Sequence, residues 1–215
     1  MTALATHTNL IFDKITSFEC IKPYCLVGGT ALSLQLNNRL SEDLDFMSWK
    51  TQKSENLEVD WVAIEKELSK VDKIEARDIW DFDHVEFVVL GVKISFYASN
   101  KFSPITEPVH LKNNLWLADI KAIGAMKMEV MLRRSNFRDY YDIYSILQHG
   151  INFKEIIMLS LKYSEHAIST KNLLAMLTDS SRFYCDSGFE QLKPKYKVTP
   201  REIESYLKEC IKAQY

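Results

Sequence analysis

The sequence predicts an α+β protein, with a mixed sheet in its N-terminal part and a helical C-terminal half. Helix-like and strand-like segments alternate between residue 8 and about residue 100, whereas the apolar spacing from Asp119 onward is helical. The chain has 215 residues, of which 47% are hydrophobic, so it can bury one sizeable core or two small ones. We therefore expect an α/β core over residues 1–105 and a helical part over residues 106–215.

The individual elements follow from apolar runs separated by turn residues. In the N-terminal part, helices are predicted over 8–18, 30–36 and 61–70, and strands over 23–27, 43–47, 74–79, 84–90 and 92–97. The last two strands meet at Gly91, which makes them a hairpin candidate. Residues 101–116 contain Pro104 and Pro108 and are predicted to be a linker. C-terminal helices are predicted over 119–133, 138–148, 153–163, 170–178 and 200–212.

The most informative motif joins a glycine pair to two carboxylates. Gly28, Gly29 and Thr30 follow a short apolar run, where the glycines let the backbone approach a ligand and the amides of a helix start suit a triphosphate. Asp43 and Asp45 alternate with apolar residues, so a strand places both carboxylates on one face. Their mutual repulsion is removed by Mg²⁺ (or Mn²⁺) that also binds nucleotide phosphates. The pattern therefore favours a metal–nucleotide site.

Either half of this motif alone is also typical of an ordinary turn or of a solvated strand edge, but the combination is more specific. The segments LVGGTALSLQL and RLSEDLDF resemble the opening motif of the AbiEii/AbiGii toxin family, within the DNA polymerase β-like nucleotidyltransferase superfamily. The general form of that motif is Gly-Ser, a spacer and Asp-x-Asp. Here Gly29-Thr30 stands in place of Gly-Ser, and the spacer is slightly long.

The resemblance implies roles for the residues of this region. Residues Gly28 to Thr30 would bind the triphosphate of an NTP, and Asp43 and Asp45 would hold the metal ion. Arg39 and Ser41, which precede the carboxylate strand, would add contacts to the phosphates or to the metal shell. An arginine in front of a strand is also an ordinary exposed residue.

A second segment resembles the later motifs of the same family. Residues 119–134 have helical apolar spacing, and the sequence RDYYDIYSIL follows at 138–147. The family pattern is a lysine on one helix, an arginine one or two turns later, and then Arg-Asp-Tyr-x-Asp. The matching residues are Lys127, Arg134, Arg138, Asp139 and Asp142.

The resemblance implies that Lys127 neutralises phosphate charge, that Arg134 binds the nucleotide and that Asp139 and Asp142 join the catalytic set. These residues would then fold back over the active edge of the sheet. The alternative is an exposed helical ion pair between Arg138 and Asp142, which lie four residues apart.

The chain departs from the superfamily pattern at the third carboxylate, which usually binds metal or takes the proton of the attacking hydroxyl. The strand after Gly91 offers Ser95 at the inward-facing position, and a serine is a poor base and a weak metal ligand. Glu86, Asp139 or Asp142 can substitute, although strand alternation fits Glu86 more simply as a solvent-facing residue. Nucleotide binding is therefore better supported than catalysis. Slow transfer is expected, which Ser95→Asp would increase or leave unchanged.

Charge and cysteine content exclude several classes of protein. A net charge of −2 excludes a broadly basic protein that coats nucleic acid. The four cysteines show no metal-ligand spacing, so a zinc site is not expected and reduced thiols are expected at Cys20, Cys25, Cys185 and Cys210. The chain has no signal-like N-terminus and no apolar run of membrane-spanning length, so a cytoplasmic location is expected.

The combined expectation is a metal-dependent nucleotidyltransferase that moves a nucleoside monophosphate from an NTP to a hydroxyl of an RNA, such as a tRNA, or of a protein. The resemblance implies the toxin of a toxin–antitoxin or phage-defence pair, with a cognate antitoxin as partner. One alternative is a catalytically weakened nucleotide-binding module that acts through a partner protein. Another is a nucleotide-sugar glycosyltransferase with an Asp-x-Asp metal site. The short basic segment 193–197 is most simply a solvated loop.

Overall fold

The structure is a computed structural model that describes residues 3–52, 54–102, 104–164, 167–184 and 187–214. The α-helices are α1 Thr6–Ile15, α2 Gly28–Leu36, α3 Trp61–Leu68, α4 Ile120–Val130, α5 Phe137–Gln148, α6 Phe153–Tyr163, α7 Thr170–Leu177 and α8 Pro200–Gln214. The strands are β1 Cys25–Val27, β2 Leu44–Lys50, β3 Ile74–Asp81, β4 His84–Val89, β5 Val92–Phe102, β6 Val109–Lys112 and β7 Leu115–Leu117. Short 3₁₀ helices span Glu19–Ile21, Ser180–Arg182 and Phe189–Leu192.

These elements confirm the predicted α+β class. The seven strands form one mixed sheet in the order β3-β4-β5-β2-β1-β7-β6. β2 runs antiparallel to β1 and parallel to β5, in a register that pairs Phe46 with Phe96. The rings of these two residues stack with centroids 5.0 Å apart, and Leu44 and Phe46 are 0% and 1% exposed. The apolar face of β2 therefore lies in the core and its alternate residues point the other way.

The predicted linker over residues 101–116 is wrong. β5 continues to Phe102, and β6 and β7 form a hairpin whose second strand pairs in parallel with β1. Leu115 and Leu117 anchor this hairpin because each is only 1% exposed. A three-residue strand has too few positions for its alternation to be recognised in the sequence.

The chain folds into two compact units. The first consists of Met1–Leu34 and Leu40–Asp119, and the second of Gln35–Arg39 and Ile120–Tyr215. Apart from the segment Gln35–Arg39, the first unit ends at Asp119, whereas the sequence predicts a boundary between residues 105 and 106. The difference arises because β6 and β7 extend the sheet of the first unit.

The core of the second unit is formed by closely packed helices. α4 approaches α6 at Gly124, where an added Cβ would lie 2.9 Å from Ile156 Cγ2. Tyr140 and Ile143 of α5 are fully buried.

Among the described residues, no helix is both long and apolar enough to cross a membrane. Cys20, Cys25 and Cys210 are free thiols, and Cys185 lies outside the described residues.

Candidate nucleotide-binding site

The glycine turn and the carboxylate strand touch each other in the first unit. β1 ends at Val27, which is in register with Asp45 on β2, and α2 begins at the next residue, Gly28. Gly28 has a φ of +69°, and a Cβ at this position would lie 2.9 Å from Asp45 Oδ2. The backbone conformation therefore favours glycine, and a Cβ at this position would fit only if the Asp45 carboxylate moved. The start of α2 lies beside the Asp45 carboxylate, and a helix N-terminus favours negative charge.

Two buried hydroxyl groups hold the backbone at Asp43, the other aspartate of the motif. The Thr30 hydroxyl donates to the backbone carbonyl of Asp43, and it shares a hydrogen bond of 2.8 Å with the Ser41 hydroxyl. Thr30 and Ser41 are 2% and 5% exposed. Their side chains therefore connect the first turn of α2 to the start of β2. This arrangement supports a positioning role for Thr30 and Ser41, while Gly28 and Gly29 carry the backbone amides of the helix start.

The two aspartates fit a metal ion that is shared with a nucleotide. Asp43 and Asp45 are half-buried, whereas Leu44 between them is fully buried. This alternation is expected when Asp45 on β2, and Asp43 directly before β2, lie on the accessible side of the strand. Among the described residues, no three or more His, Cys, Asp or Glu side chains are grouped to hold a metal by themselves. Mg²⁺ commonly takes one or two carboxylates together with phosphates and waters, so the donor set fits this kind of site.

Ser95 lies directly beside Asp45 in the sheet, and Glu86 lies directly beside Ser95. Ser95 is fully buried, and its hydroxyl donates to Glu86 Oε1 at 3.2 Å. Burial raises the pKa of Glu86, but the nearby Lys93 ammonium and other contacts outweigh this effect and lower the pKa. The interpretation of Glu86 as a solvent-facing residue is therefore only partly right, because its carboxylate is held against Ser95.

The later motif residues form a buried ionic network in the second unit. The Lys127 ammonium lies 2.9 Å from Asp139 Oδ1 and 2.7 Å from Asp142 Oδ2. Arg39 donates two hydrogen bonds to Asp142, from Nε to Oδ1 and from Nη2 to Oδ2, each at 2.9 Å. Arg134 donates to both oxygens of Asp139, at 2.9 and 3.2 Å. The network thus contains three cations and two carboxylates.

Burial distinguishes this network from an ordinary surface ion pair. The side chains of Asp142, Asp139 and Lys127 are 0%, 1% and 8% exposed, whereas that of Arg134 is 55% exposed. The alternative of an exposed ion pair between Arg138 and Asp142 is therefore wrong, because the Asp142 carboxylate is fully buried. Its charge is compensated by Arg39, a residue 103 positions earlier in the chain.

The electrostatics favour the charged forms of Asp142, Asp139 and Lys127. Burial alone would raise the pKa of Asp142, but Arg39 and Lys127 outweigh burial and lower that pKa to about 2. The pKa of Asp139 is also lowered, because Lys127 and Arg134 outweigh its burial. Burial lowers the pKa of Lys127, but the two aspartates more than offset this and raise it. An ammonium has three donors, of which two point at carboxylates here.

Asn38 and Tyr141 belong to the same network but were not predicted from the sequence. Asn38 Nδ2 donates to Asp142 Oδ1 at 3.0 Å, and the Tyr141 hydroxyl donates to the Asn38 carbonyl at 2.9 Å. The Tyr141 oxygen accepts from the Tyr196 amide at 3.0 Å, and the Lys195 amide donates to the Asn38 carbonyl at 2.8 Å. The basic segment 193–197 is therefore bound to Asn38 and Tyr141 through its backbone amides. No spacing rule links Asn38 to a residue 104 positions away.

Sequence comparison matches most of the chain to a known family. A sequence model of the family described as "Nucleotidyl transferase AbiEii toxin, Type IV TA system" matches residues 19–183. The uncharacterized protein aq_aa25 of Aquifex aeolicus (strain VF5) is 24% identical over 218 residues, which cover 99% of this chain and 98% of that protein.

Two solved structures have a similar fold. JHP933 from Helicobacter pylori superposes with a TM-score of 0.56 and 19% identity, covering 98% of this chain and 92% of that one. MenT4, a nucleotidyltransferase toxin from Mycobacterium tuberculosis H37Rv, superposes with a TM-score of 0.57 and 12% identity, covering 93% of this chain and 82% of that one. At these identities, the similarity establishes the fold.

Proposed function

Because this chain belongs to the AbiEii nucleotidyl transferase toxin family of type IV toxin–antitoxin systems, we propose that it transfers a nucleoside monophosphate from an NTP to a hydroxyl of an RNA or protein. The observation that carries this proposal is the contact between Gly28 and Asp45, where a Cβ would lie 2.9 Å from the carboxylate oxygen. This contact brings two features together. The start of α2 suits phosphate, and the adjacent Asp45 carboxylate suits a metal ion. A cognate antitoxin is the proposed partner, and the cytoplasm, which supplies NTPs, is the proposed location.

In this mechanism, Asp43 and Asp45 would hold Mg²⁺ or Mn²⁺ together with the phosphates of the NTP. The bound ion would neutralise the charge on the phosphate oxygens. The backbone amides of Gly28 to Thr30 bind the triphosphate. The acceptor hydroxyl then attacks the α-phosphorus, the bond from that phosphorus to the bridging oxygen breaks, pyrophosphate leaves, and the hydroxyl proton passes to solvent. The acceleration comes mainly from positioning and from charge neutralisation.

We assign different roles to the charged residues of the second unit. Lys127 directs two of its three donors to aspartates, so its remaining donor suits a phosphate oxygen. Asp139 and Asp142 act as positioning residues. Their carboxylate oxygens already accept hydrogen bonds from the cations of the network, and their pKa values are lowered, so both are poor bases. Arg39 positions Asp142. The more exposed Arg134 is the better candidate for nucleotide contact.

Ser95 favours a second candidate function, a nucleotide-binding module without effective catalysis. The neighbour of Asp45 is a buried hydroxyl that donates to Glu86, and such a group is a weak metal ligand. A missing base typically costs about 10²- to 10⁴-fold in rate, so the two candidates differ in rate rather than in binding. Membership of a nucleotidyl transferase family weighs against the glycosyltransferase alternative.

A label-transfer experiment separates these functions. The protein is incubated with Mg²⁺, each of the α-³²P-labelled NTPs in turn, and total cellular RNA or protein. We expect slow transfer that Asp43→Ala and Asp45→Ala abolish. The control Asp72→Ala, at an exposed turn residue, should leave the rate unchanged. Nucleotide binding without transfer would favour the non-catalytic module, and transfer that persists in Asp45→Ala would refute the mechanism.

A further inference from the structure

The edge strand β3 is exposed along almost its whole length. β3 has 8 residues and ends the strand order, so β4 is its only strand partner among the described residues. Residues 75–81 are all exposed. Ile79, Trp80 and Phe82 at the turn end of this strand are 47%, 67% and 74% exposed. A long edge strand with large exposed apolar side chains readily pairs with another chain.

The same edge is strongly acidic. Between residues 74 and 83 there is one cation, Arg77, and there are four carboxylates, Glu75, Asp78, Asp81 and Asp83. Arg77 is already engaged, because its Nη1 lies 2.7 Å from Glu65 Oε2 and its guanidinium lies over the Trp61 ring. Among the described residues, no cation lies within ion-pair distance of Asp78 or Asp81. The edge therefore carries negative charge that the described part of the chain does not compensate.

This charge determines which partner fits the edge. A nucleic acid would bring phosphates against the carboxylates, and a second copy of the chain would bring the same acidic strand. We propose that β3 is a docking edge for an extended, lysine- or arginine-bearing segment of a partner protein, which adds to the sheet as a further strand. Backbone pairing would supply affinity, and the basic side chains would supply specificity by facing Asp78 and Asp81. This inference rests on β3 alone and is independent of the proposed transfer reaction.

The register of β3 limits the length of the docked segment. The pairing of β3 with β4 is regular from Ala76 to Ile79, and it shifts between Ile74 and Ala76 and again between Ile79 and Asp81. Register shifts of this kind disrupt the ladder locally and bend the strand, and pairing resumes beyond them at Ile74 and Asp81. The partner strand should therefore be no longer than β3, which has 8 residues, and should centre on Asp78.

The test uses defined peptides as probes of the full-length protein. The basic probe is a capped peptide of alternating Lys and Val with the same length as β3, which has 8 residues. The controls are the Glu–Val counterpart and a basic peptide N-methylated along one edge, which cannot form a strand pair. Fluorescence anisotropy measures binding, and hydrogen exchange locates it. We expect only the unmethylated basic peptide to bind, and we expect it to slow amide exchange within residues 76–81.

Variants test the contribution of the acidic edge. Asp78→Lys should weaken basic-peptide binding by about tenfold or more, because it replaces an attraction by a repulsion. Glu107→Lys makes the same change of charge at an exposed residue outside β3 and should alter the affinity by less than about twofold. Asp78→Asn, a milder change, should weaken binding in the same direction and covers the case in which Asp78→Lys fails to fold.

Several results would overturn the proposal. These are equal binding of the acidic peptide, exchange protection outside β3, and protection of the same amides by an RNA oligonucleotide. A homodimer in sedimentation equilibrium that Asp78→Asn strengthens would instead identify a second copy of the chain as the occupant.

Discussion

At the residue scale, Gly28 and Gly91 allow a matched comparison of two Gly→Ala substitutions. Their φ values are +69° and +72°, but a Cβ at Gly28 would meet Asp45, whereas a Cβ at Gly91 would meet nothing within 4 Å. Each Gly→Ala change should cost about 1–2 kcal/mol of unfolding free energy from the left-handed backbone. Gly28→Ala should cost more than Gly91→Ala, and it alone should weaken nucleotide binding measured by calorimetry. Equal effects of the two changes would contradict the assigned contact.

Asp142 should make stability depend on pH in the acid range. Its pKa falls from the ordinary 3.8 to about 2 on folding, because Arg39 and Lys127 outweigh burial. A carboxyl with a lowered folded pKa stabilises the fold above its ordinary pKa and loses this contribution as the pH falls from 3.8 towards about 2. Asp142→Asn should remove this part of the pH dependence. The Asp142→Asn change should also lower the free energy of unfolding by about 3–5 kcal/mol at neutral pH, because the buried Arg39 loses its carboxylate partner and Lys127 keeps only Asp139.

Denaturant unfolding at several pH values measures this effect. Asp13→Asn is the control, because it makes the same change of charge at a side chain that is 83% exposed. Its free energy of unfolding should stay within about 0.5 kcal/mol of the parent value. If Asp142→Asn kept the full acid dependence of the parent, another carboxyl would have to be responsible.

The structure changes the expected effect of the Ser95→Asp substitution from the one drawn from the sequence. Its position beside Asp45 fits the site of a third carboxylate, but its side chain is fully buried and bonded to Glu86. A new carboxylate there would be desolvated and would face two like charges. We therefore expect Ser95→Asp to destabilise the protein by about 1–3 kcal/mol and not to raise the transfer rate. A thermal melt with a parallel rate measurement checks this, and a stable, faster variant would restore the earlier expectation.

At the element scale, the paired neighbours Trp116 and Leu117 test whether β7 belongs to the sheet. Leu117 is 1% exposed and pairs with Leu26, whereas Trp116 is 44% exposed. Leu117→Ala should cost about 2–5 kcal/mol of unfolding free energy, because it leaves a cavity in the core. Trp116→Ala removes a larger side chain but should cost less. The reverse order, measured by chemical denaturation, would mean that β7 does not pack as described.

The elements that the sequence predicted well are those with a strong local pattern. The helix over 153–163 has the predicted bounds, and β2 was recognised from the alternation around Leu44 and Phe46. β7 was missed because its burial depends on pairing with β1, about ninety residues earlier in the chain. Asn38 was missed for the same reason, since its role depends on Asp142. Local spacing predicts which face of an element is buried, but not which distant residue it meets.

At the scale of the whole molecule, the second unit is built from two separate stretches of chain. Gln35–Arg39 belongs with Ile120–Tyr215, because Asn38 and Arg39 bind the Asp142 carboxylate. A domain boundary drawn once along the sequence cannot represent this arrangement. The division between residues 105 and 106 into an α/β core and a helical part remains a prediction, and fragments can test how far the second unit folds by itself.

A fragment of residues 120–215 should therefore be poorly folded on its own. It retains Lys127 but lacks Asn38 and Arg39, so the buried Asp142 loses the arginine that best compensates its charge. We expect broad, weakly cooperative melting by circular dichroism, because buried charges without partners oppose close packing. A synthetic peptide spanning residues 35–39 should sharpen the transition, whereas the same peptide with Arg39→Ala should not. Cooperative melting of the fragment without any peptide would show that the second unit does not need the Arg39–Asp142 pair.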